Sequence, residues 1–188
     1  AIQNKHLKMD ISKYTLALKV LTERWLREDN NIILSPSLPL LEKYLFNKVG
    51  VLNECPFTSK CTGRFIALEP NGDVTNCIEF TNTNNYKFGN IFTDEVSKVF
   101  HNKNVVSLSK RSVNLHEDCK KCRFLYACQG GCMATTYIET NDIYGKFPQC
   151  DTYMSIFEVF EKFDKEYLKS FYTHKNDNFS LMKEHHKF

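Results

Sequence analysis

The chain is dominated by cysteines whose spacing restricts what the middle of the sequence can fold around. There are eight of them in 188 residues, at positions Cys55, Cys61, Cys77, Cys119, Cys122, Cys128, Cys132 and Cys150. Eight thiolates can hold two four-thiolate metal centres, and sites built from four cysteines select zinc or iron with sulfur. The cysteines therefore predict that the function of the chain is the function of two such metal centres.

Four disulfides in a small secreted domain are another explanation, because such domains need covalent staples for a poor core. This chain has a mass of 22.0 kDa and is 42% hydrophobic, so it can bury an ordinary core. Residues 1–10 are polar and contain no secretory signal. Cys119 and Cys122 form a tight CxxC that would strain a disulfide but suits a metal. We favour iron–sulfur centres over zinc or disulfides, and we expect a cytoplasmic location.

A longer pattern surrounds these cysteines. In its first half, ten residues separate Cys61 from Gly72 and four separate Gly72 from Cys77. In its second half, two residues separate Cys119 from Cys122, five separate Cys122 from Cys128, three separate Cys128 from Cys132, and seventeen separate Cys132 from Cys150. This pattern resembles the seven-cysteine signature of the SPASM domain, the auxiliary-cluster domain of radical S-adenosylmethionine (SAM) enzymes that modify peptides and proteins. The sequences FGNI at 88–91 and CQGGC at 128–132 also resemble that family.

The resemblance implies two 4Fe-4S clusters that are ligated entirely by the protein, with Cys55 as the eighth thiolate. The ligands implied for cluster I are Cys55, Cys61, Cys77 and Cys132. Those implied for cluster II are Cys119, Cys122, Cys128 and Cys150. The two sets interleave along the chain, so removal of one cluster would loosen the loops that hold the other. The glycines at 130 and 131 would let the backbone pass close to a cluster, although a simple turn explains them equally well.

Local patterns predict an α+β fold of short hairpins and helices around the cysteines. An apolar run at 64–68, the turn sequence EPNGD at 69–73 and Val74 predict a hairpin that brings Cys61 and Cys77 to one end. Thr93 is the predicted N-cap of a short helix whose apolar residues pack in the core.

Helices are predicted at both ends of the chain. Tyr14, Leu18, Leu21 and Trp25 recur at helical spacing and predict one amphipathic helix. A short strand is predicted at 31–34, a break at the two prolines that follow, and a helix at 40–48. Aromatic residues from Tyr153 to Phe171 predict one long C-terminal helix, with a frayed polar tail after Thr173.

These segments give three predicted regions. Residues 1–50 form a helical bridge that resembles the end of a radical SAM partial barrel. Residues 51–151 form the SPASM-like two-cluster domain, and residues 152–188 form the C-terminal helix and polar tail. The bridge leads us to expect a C-terminal fragment or a separately expressed domain of a larger enzyme, with a natural stand-alone protein as the alternative.

One motif of radical SAM enzymes does not occur in the sequence. Their chemistry needs a CxxxCxxC loop, whose three thiolates leave one iron open for SAM, and this sequence contains no such loop. We therefore expect the chain to be catalytically incomplete alone. SAM would bind only to an N-terminal barrel domain, supplied in cis or in trans. No catalytic residue and no cofactor-binding residue other than the cysteines is assigned.

A second departure from the family concerns the substrate. In its sulfatase-maturing members, the ligand that matches Cys77 is followed by an aspartate that acts as the base in formylglycine formation. Here Ile78 follows Cys77, and isoleucine cannot accept a proton. Glu79 would face the opposite side if this segment were extended. The resemblance then favours maturases of ribosomally made peptides, which install thioether or carbon–carbon crosslinks or epimerise residues.

We therefore predict the auxiliary-cluster domain of a radical SAM peptide maturase, whose clusters transfer electrons and help position the substrate. The predicted partners are a peptide or protein substrate, a radical SAM barrel and an external electron donor or acceptor. The alternatives are a stand-alone electron-transfer or peptide-binding module without catalysis, and a structural zinc protein.

Charge and hydropathy predict neither nucleic acid nor membrane as a partner. The net charge is +3, with a pI near 8.4, and no run of eighteen apolar residues occurs. Lys120, Lys121 and Arg123 surround the CxxC motif. They are either cations that raise the reduction potential of a nearby cluster or an ordinary solvated basic turn.

Overall fold

The computed structural model describes residues 9–28, 31–46, 61–81 and 83–185. Its helices and strands, in chain order, are α1 (Ile11–Arg27), α2 (Ser37–Phe46), β1 (Ala67–Leu68), β2 (Asp73–Thr75), β3 (Gly89–Asn90), α3 (Val96–Phe100), α4 (Lys103–Ser109), α5 (Glu117–Lys120), α6 (Leu125–Cys128), α7 (Met133–Thr140), α8 (Cys150–Phe160) and α9 (Lys165–His185). Helices accompany a small antiparallel sheet, which confirms the predicted α+β class.

The chain divides into two compact units. The helical unit comprises Ala1–Glu54, Tyr126–Cys128 and Gln149–Phe188, and the sheet unit comprises Cys55–Leu125 and Gln129–Pro148. The two ends of the sequence thus share one unit, and the cysteine-rich middle forms most of the other. The division into regions 1–50, 51–151 and 152–188 stays a prediction. Within the described residues, no helix is both long and apolar enough to cross a membrane.

Helix α1 confirms the predicted N-terminal helix, but Leu21 does not belong to its buried face. Asp10 caps it by accepting a hydrogen bond from the Lys13 backbone N–H at 3.1 Å. The buried face contains Leu18, Thr22 and Trp25, whereas Leu21 is 52% exposed. Thr22 is tolerated in the core because its hydroxyl is hydrogen-bonded to the Leu18 carbonyl and to Ser37, each at 2.7 Å. Hydropathy alone cannot anticipate that a hydrogen-bonded polar residue, Thr22, belongs to the buried face while Leu21 does not.

The connection from α1 to α2 also differs from the prediction. Residues 31–34 form no strand, and the Ile32 carbonyl instead accepts a hydrogen bond from the Trp25 indole at 2.8 Å. Helix α2 begins at Ser37 and includes Pro39, which was predicted to lie in a break. Proline is accepted there because the first turn of a helix needs no intrahelical N–H donor. The predicted C-terminal end of this helix, at 47–50, lies outside the described residues.

The C-terminal region forms two helices where one was predicted. Helix α8 ends at Phe160 and α9 begins at Lys165. Asp164 accepts hydrogen bonds from the backbone N–H groups of Glu166 and Tyr167, so it starts a new helix as an N-cap would. Helix α9 then runs to His185, past the point at which fraying was predicted.

The predicted hairpin is confirmed in the sheet unit. Ala67 pairs with Thr75 and Leu68 with Val74, and β3 adds to the other edge of β2. The helix predicted to start at Thr93 begins later, at Val96, with Glu95 at its N-cap. The side chain of Asp94 is engaged elsewhere, since it accepts a hydrogen bond from the Asn90 backbone N–H at 2.7 Å and closes the turn after β3.

Candidate metal centre

Three of the four predicted ligands of cluster I lie around one core of the sheet unit. Cys61 is buried in this core together with Val74 and Phe80, and Cys77 and Cys132 pack against it. Cys61 lies near the residue that precedes Cys77, since the Asn76 amide nitrogen is 3.6 Å from the Cys61 sulfur. Cys132 comes from the second half of the cysteine pattern. Cys55 lies outside the described residues.

Cys77 is held at the start of a short 3₁₀ turn, Ile78–Phe80. The Phe80 backbone N–H donates to the Cys77 carbonyl at 3.0 Å and closes this turn. Burial raises the pKa of the Cys77 thiol, and the nearby Cys132 thiol raises it further. An iron centre would supply the positive charge that stabilises both thiols in their thiolate form.

The sulfur atoms of the other two cysteines of this group accept hydrogen bonds from N–H donors. Cys132 caps α7 and accepts a hydrogen bond from the Thr135 backbone N–H, with an N···S distance of 3.5 Å. The Asn76 side-chain amide nitrogen lies 3.6 Å from the Cys61 sulfur. Iron–sulfur clusters are stabilised and tuned by hydrogen bonds to their sulfurs, so this donor set fits such a cluster.

No three His, Cys, Asp or Glu side chains of the described chain are grouped to bind a single metal ion. The cysteines of a cubane cluster bind different iron atoms and need not converge on one point. Nor does a disulfide join any of the seven cysteines that the structure describes.

Cys119 and Cys122, two predicted ligands of cluster II, lie next to each other in the sheet unit. Cys119 is buried on α5, and the Cys122 backbone N–H donates to its carbonyl at 3.1 Å. Burial raises the pKa of the Cys119 thiol, while the positive charges of Arg111 and Lys146 act to lower it. The remaining predicted ligands, Cys128 and Cys150, belong to the helical unit, at the end of α6 and the start of α8.

The cations that act on Cys119 differ from those that the sequence singled out. Lys120 pairs with Glu117 at 2.6 Å, and the Arg123 guanidinium lies over the Phe124 ring at 4.6 Å. Arg111 is instead buried and donates to the Gly130 carbonyl at 3.0 Å. No sequence signal marks Arg111, because it stands eight residues before Cys119 and belongs to no motif.

The two glycines of the CQGGC segment adopt left-handed conformations, with φ of +83° at Gly130 and +68° at Gly131. A Cβ at Gly131 would come within 2.4 Å of the Phe147 ring, and one at Gly130 within 2.6 Å of Leu115. Both glycines are therefore required by the turn and by the packing of these side chains. This supports the simple-turn explanation.

Comparison with known families identifies the cysteine-rich segment. Residues 55–123 match the SPASM family, described as an iron-sulfur cluster-binding domain. The match confirms the resemblance to the SPASM domain that the cysteine spacing predicted.

The matching relatives are maturases. The chain is 28% identical over 148 residues to the cysteine-type anaerobic sulfatase-maturating enzyme of Clostridium perfringens, covering 77% of this chain and 39% of that protein. It is 28% identical over 122 residues to the serine-type anaerobic sulfatase-maturating enzyme of Bacteroides thetaiotaomicron, covering 64% of this chain and 28% of that protein. The chain thus spans less than half the length of the curated relatives it matches.

Solved structures show the same fold. His6-tagged anSMEcpe with bound AdoMet has a TM-score of 0.70 and 25% identity, over 94% of this chain and 45% of that one. Native anSMEcpe with bound AdoMet and the Kp18Cys peptide has a TM-score of 0.68 and 25% identity, over 89% of this chain and 44% of that one.

Proposed function

We propose that this chain is the auxiliary-cluster part of a radical SAM maturase that modifies a peptide or protein. Cluster I would be held by Cys55, Cys61, Cys77 and Cys132. Cluster II would be held by Cys119, Cys122, Cys128 and Cys150. The SPASM match and the likeness to sulfatase-maturating enzymes support this proposal.

The observation that carries the proposal is the approach of Cys77 and Cys132 in the core of the sheet unit. Both side chains pack against the core cluster that contains Cys61. Both lie at the start of helical turns, and the Thr135 backbone N–H donates to the Cys132 sulfur. Such N–H groups carry partial positive charge and stabilise anionic sulfur, as at other helix N-termini. The arrangement suits two thiolates of one iron–sulfur cluster.

When bound, the clusters would supply one-electron transfer at the stage when the substrate carries a radical. The chain's own residues would position the thiolates and would exclude water from Cys61, which is only 8% exposed. The protein or peptide substrate and the radical SAM barrel, in cis or in trans, remain proposed partners. A cytoplasmic location and an external electron donor or acceptor belong to the same proposal.

The isoleucine at position 78 favours a substrate other than a sulfatase. Ile78 is 75% exposed at the start of the 3₁₀ turn, and its side chain carries no group that can take up a proton. The turn is not extended, so Glu79 is not directed opposite Ile78 as in a strand, and both residues are exposed. We propose a ribosomally made peptide as substrate, with a thioether or carbon–carbon crosslink as the product.

Combined with its radical SAM barrel, the chain is expected to crosslink a short ribosomally made peptide and to leave sulfatase cysteine and serine peptides unchanged. Mass spectrometry would detect the crosslink as a loss of two hydrogens. Formylglycine in a sulfatase peptide would contradict the role given to Ile78. Glu79→Gln would then test whether that carboxylate has become the base, and Glu69→Gln, a change of another carboxylate in the same unit, would serve as its control.

The metal content tests the proposal as a whole. The full chain, reconstituted anaerobically with iron and sulfide, is expected to bind about eight of each and to absorb broadly near ~400 nm. Iron, sulfide and zinc are measured per chain. A colourless protein with stoichiometric zinc would establish the structural zinc alternative instead, and full iron content without any maturation would favour the stand-alone electron-transfer module.

A further inference from the structure

Asn76 is a buried amide placed between two of the predicted cluster I ligands. It follows β2 directly and precedes Cys77, and its side chain is fully buried. Its amide nitrogen lies 3.6 Å from the Cys61 sulfur. Its amide oxygen is also buried and has no hydrogen-bond partner among the described residues.

A buried amide oxygen without a partner is unfavourable, and a folded protein keeps such a group only where something else depends on the side chain. A thiolate can only accept hydrogen bonds. In a cluster-loaded protein the Asn76 nitrogen, rather than its oxygen, must therefore face the Cys61 sulfur. The unpaired oxygen follows from this orientation.

The Thr135 backbone N–H also donates to a cysteine sulfur of this group, that of Cys132. A residue of any type except proline supplies such a donor. Asn76 differs because its donor belongs to the side chain, so the donor is a property of this sequence and can be removed without altering the backbone.

We propose that Asn76 is a positioning residue that raises the reduction potential of cluster I by donating a hydrogen bond to the Cys61 sulfur. The inference rests on the proposed function, because it requires cluster I. When the cluster takes one electron from a low-potential donor, negative charge on its sulfurs increases. A hydrogen bond to sulfur stabilises that charge and so favours the reduced form.

The test uses the reconstituted full chain in a redox titration followed by electron paramagnetic resonance. Asn76→Leu keeps the branching of the side chain but removes the donor. We expect the reduction equilibrium of cluster I to shift at least tenfold toward the oxidised form, which is about 59 mV for one electron. Asn76→Asp, which adds a negative charge, is expected to shift it further in the same direction. Cluster II should keep its potential in both variants.

Asn102→Leu is the matched control, because it removes an amide of the same unit that donates to the carbonyls of Phe88 and Val99. It should lower the melting temperature and leave the potential of cluster I unchanged. An unshifted potential in both Asn76 variants, or an equal shift in Asn102→Leu, would overturn the inference. Loss of cluster I from both Asn76 variants would also overturn it, since Asn76 would then be needed for cluster binding and not for the reduction potential. Absence of iron from the unsubstituted chain would instead overturn the proposed function, and this inference with it.

Discussion

Replacing Cys132 by alanine is expected to abolish the same cluster signal as replacing Cys55, even though Cys132 stands only four residues after Cys128. Cys128→Ala and Cys150→Ala are expected to abolish the other signal. Each variant should therefore lose about four iron atoms and keep the remaining cluster.

The physical reason is the direction in which the chain turns after Cys128. Gln129 and the two glycines that follow all have positive φ, so the backbone leaves the right-handed helical conformation of α6 between the two cysteines. Cys132 then caps α7 and packs against the core that contains Cys61, while Cys128 belongs to the helical unit. Cys128 and Cys132 are thus close in sequence but belong to different compact units.

Iron content and electron paramagnetic resonance of the four alanine variants check this pairing. Ser112→Ala is a suitable control, because it changes a hydroxyl of the sheet unit that donates to the Ser109 carbonyl and is not a predicted ligand. Loss of one and the same signal from Cys132→Ala and Cys128→Ala would refute the crossed ligation.

The cysteine spacing and the hairpin were accessible from the sequence because both are local. The turn sequence at 69–73 and the short runs that flank it are sufficient to pair Ala67 with Thr75 and Leu68 with Val74. The approach of Cys132 to Cys77 is different, since 54 residues separate them. Only the resemblance to a family with crossed ligands suggested this approach.

Helix boundaries and electrostatic partners were less accessible. The break between α8 and α9 depends on Asp164 acting as a cap, and a continuous aromatic pattern conceals it. Arg111 reaches the surroundings of Cys119 only through tertiary folding. Asn76 has no helical or strand periodicity to mark it, and its burial beside sulfur emerges only from the folded hairpin. The surroundings of Arg111 and Asn76 are therefore decided by tertiary packing, whereas the Asp164 cap is local.

Without a radical SAM barrel, the chain is expected to produce no 5′-deoxyadenosine from SAM, even with a strong reductant and both clusters loaded. Cleavage of SAM needs a cluster with one open iron, whereas each proposed cluster here has four cysteine ligands. Cys128 and Cys132 match the first two positions of a CxxxCxxC loop, but Thr135 stands at the third. Its backbone N–H donates to the Cys132 sulfur, so this turn supports a ligand of a fully coordinated cluster.

Chromatography of the anaerobic reaction measures the product, with a complete radical SAM enzyme under the same reductant as the positive control. Adding a barrel domain in trans should restore 5′-deoxyadenosine formation. With that barrel present, Cys132→Ala should leave SAM cleavage largely intact and reduce peptide modification at least tenfold. The reason is that the auxiliary cluster acts after the radical has formed, so its loss affects the later step. Product above the no-protein level from the chain alone would show that one of its clusters has an open iron and that the four-cysteine ligation is wrong.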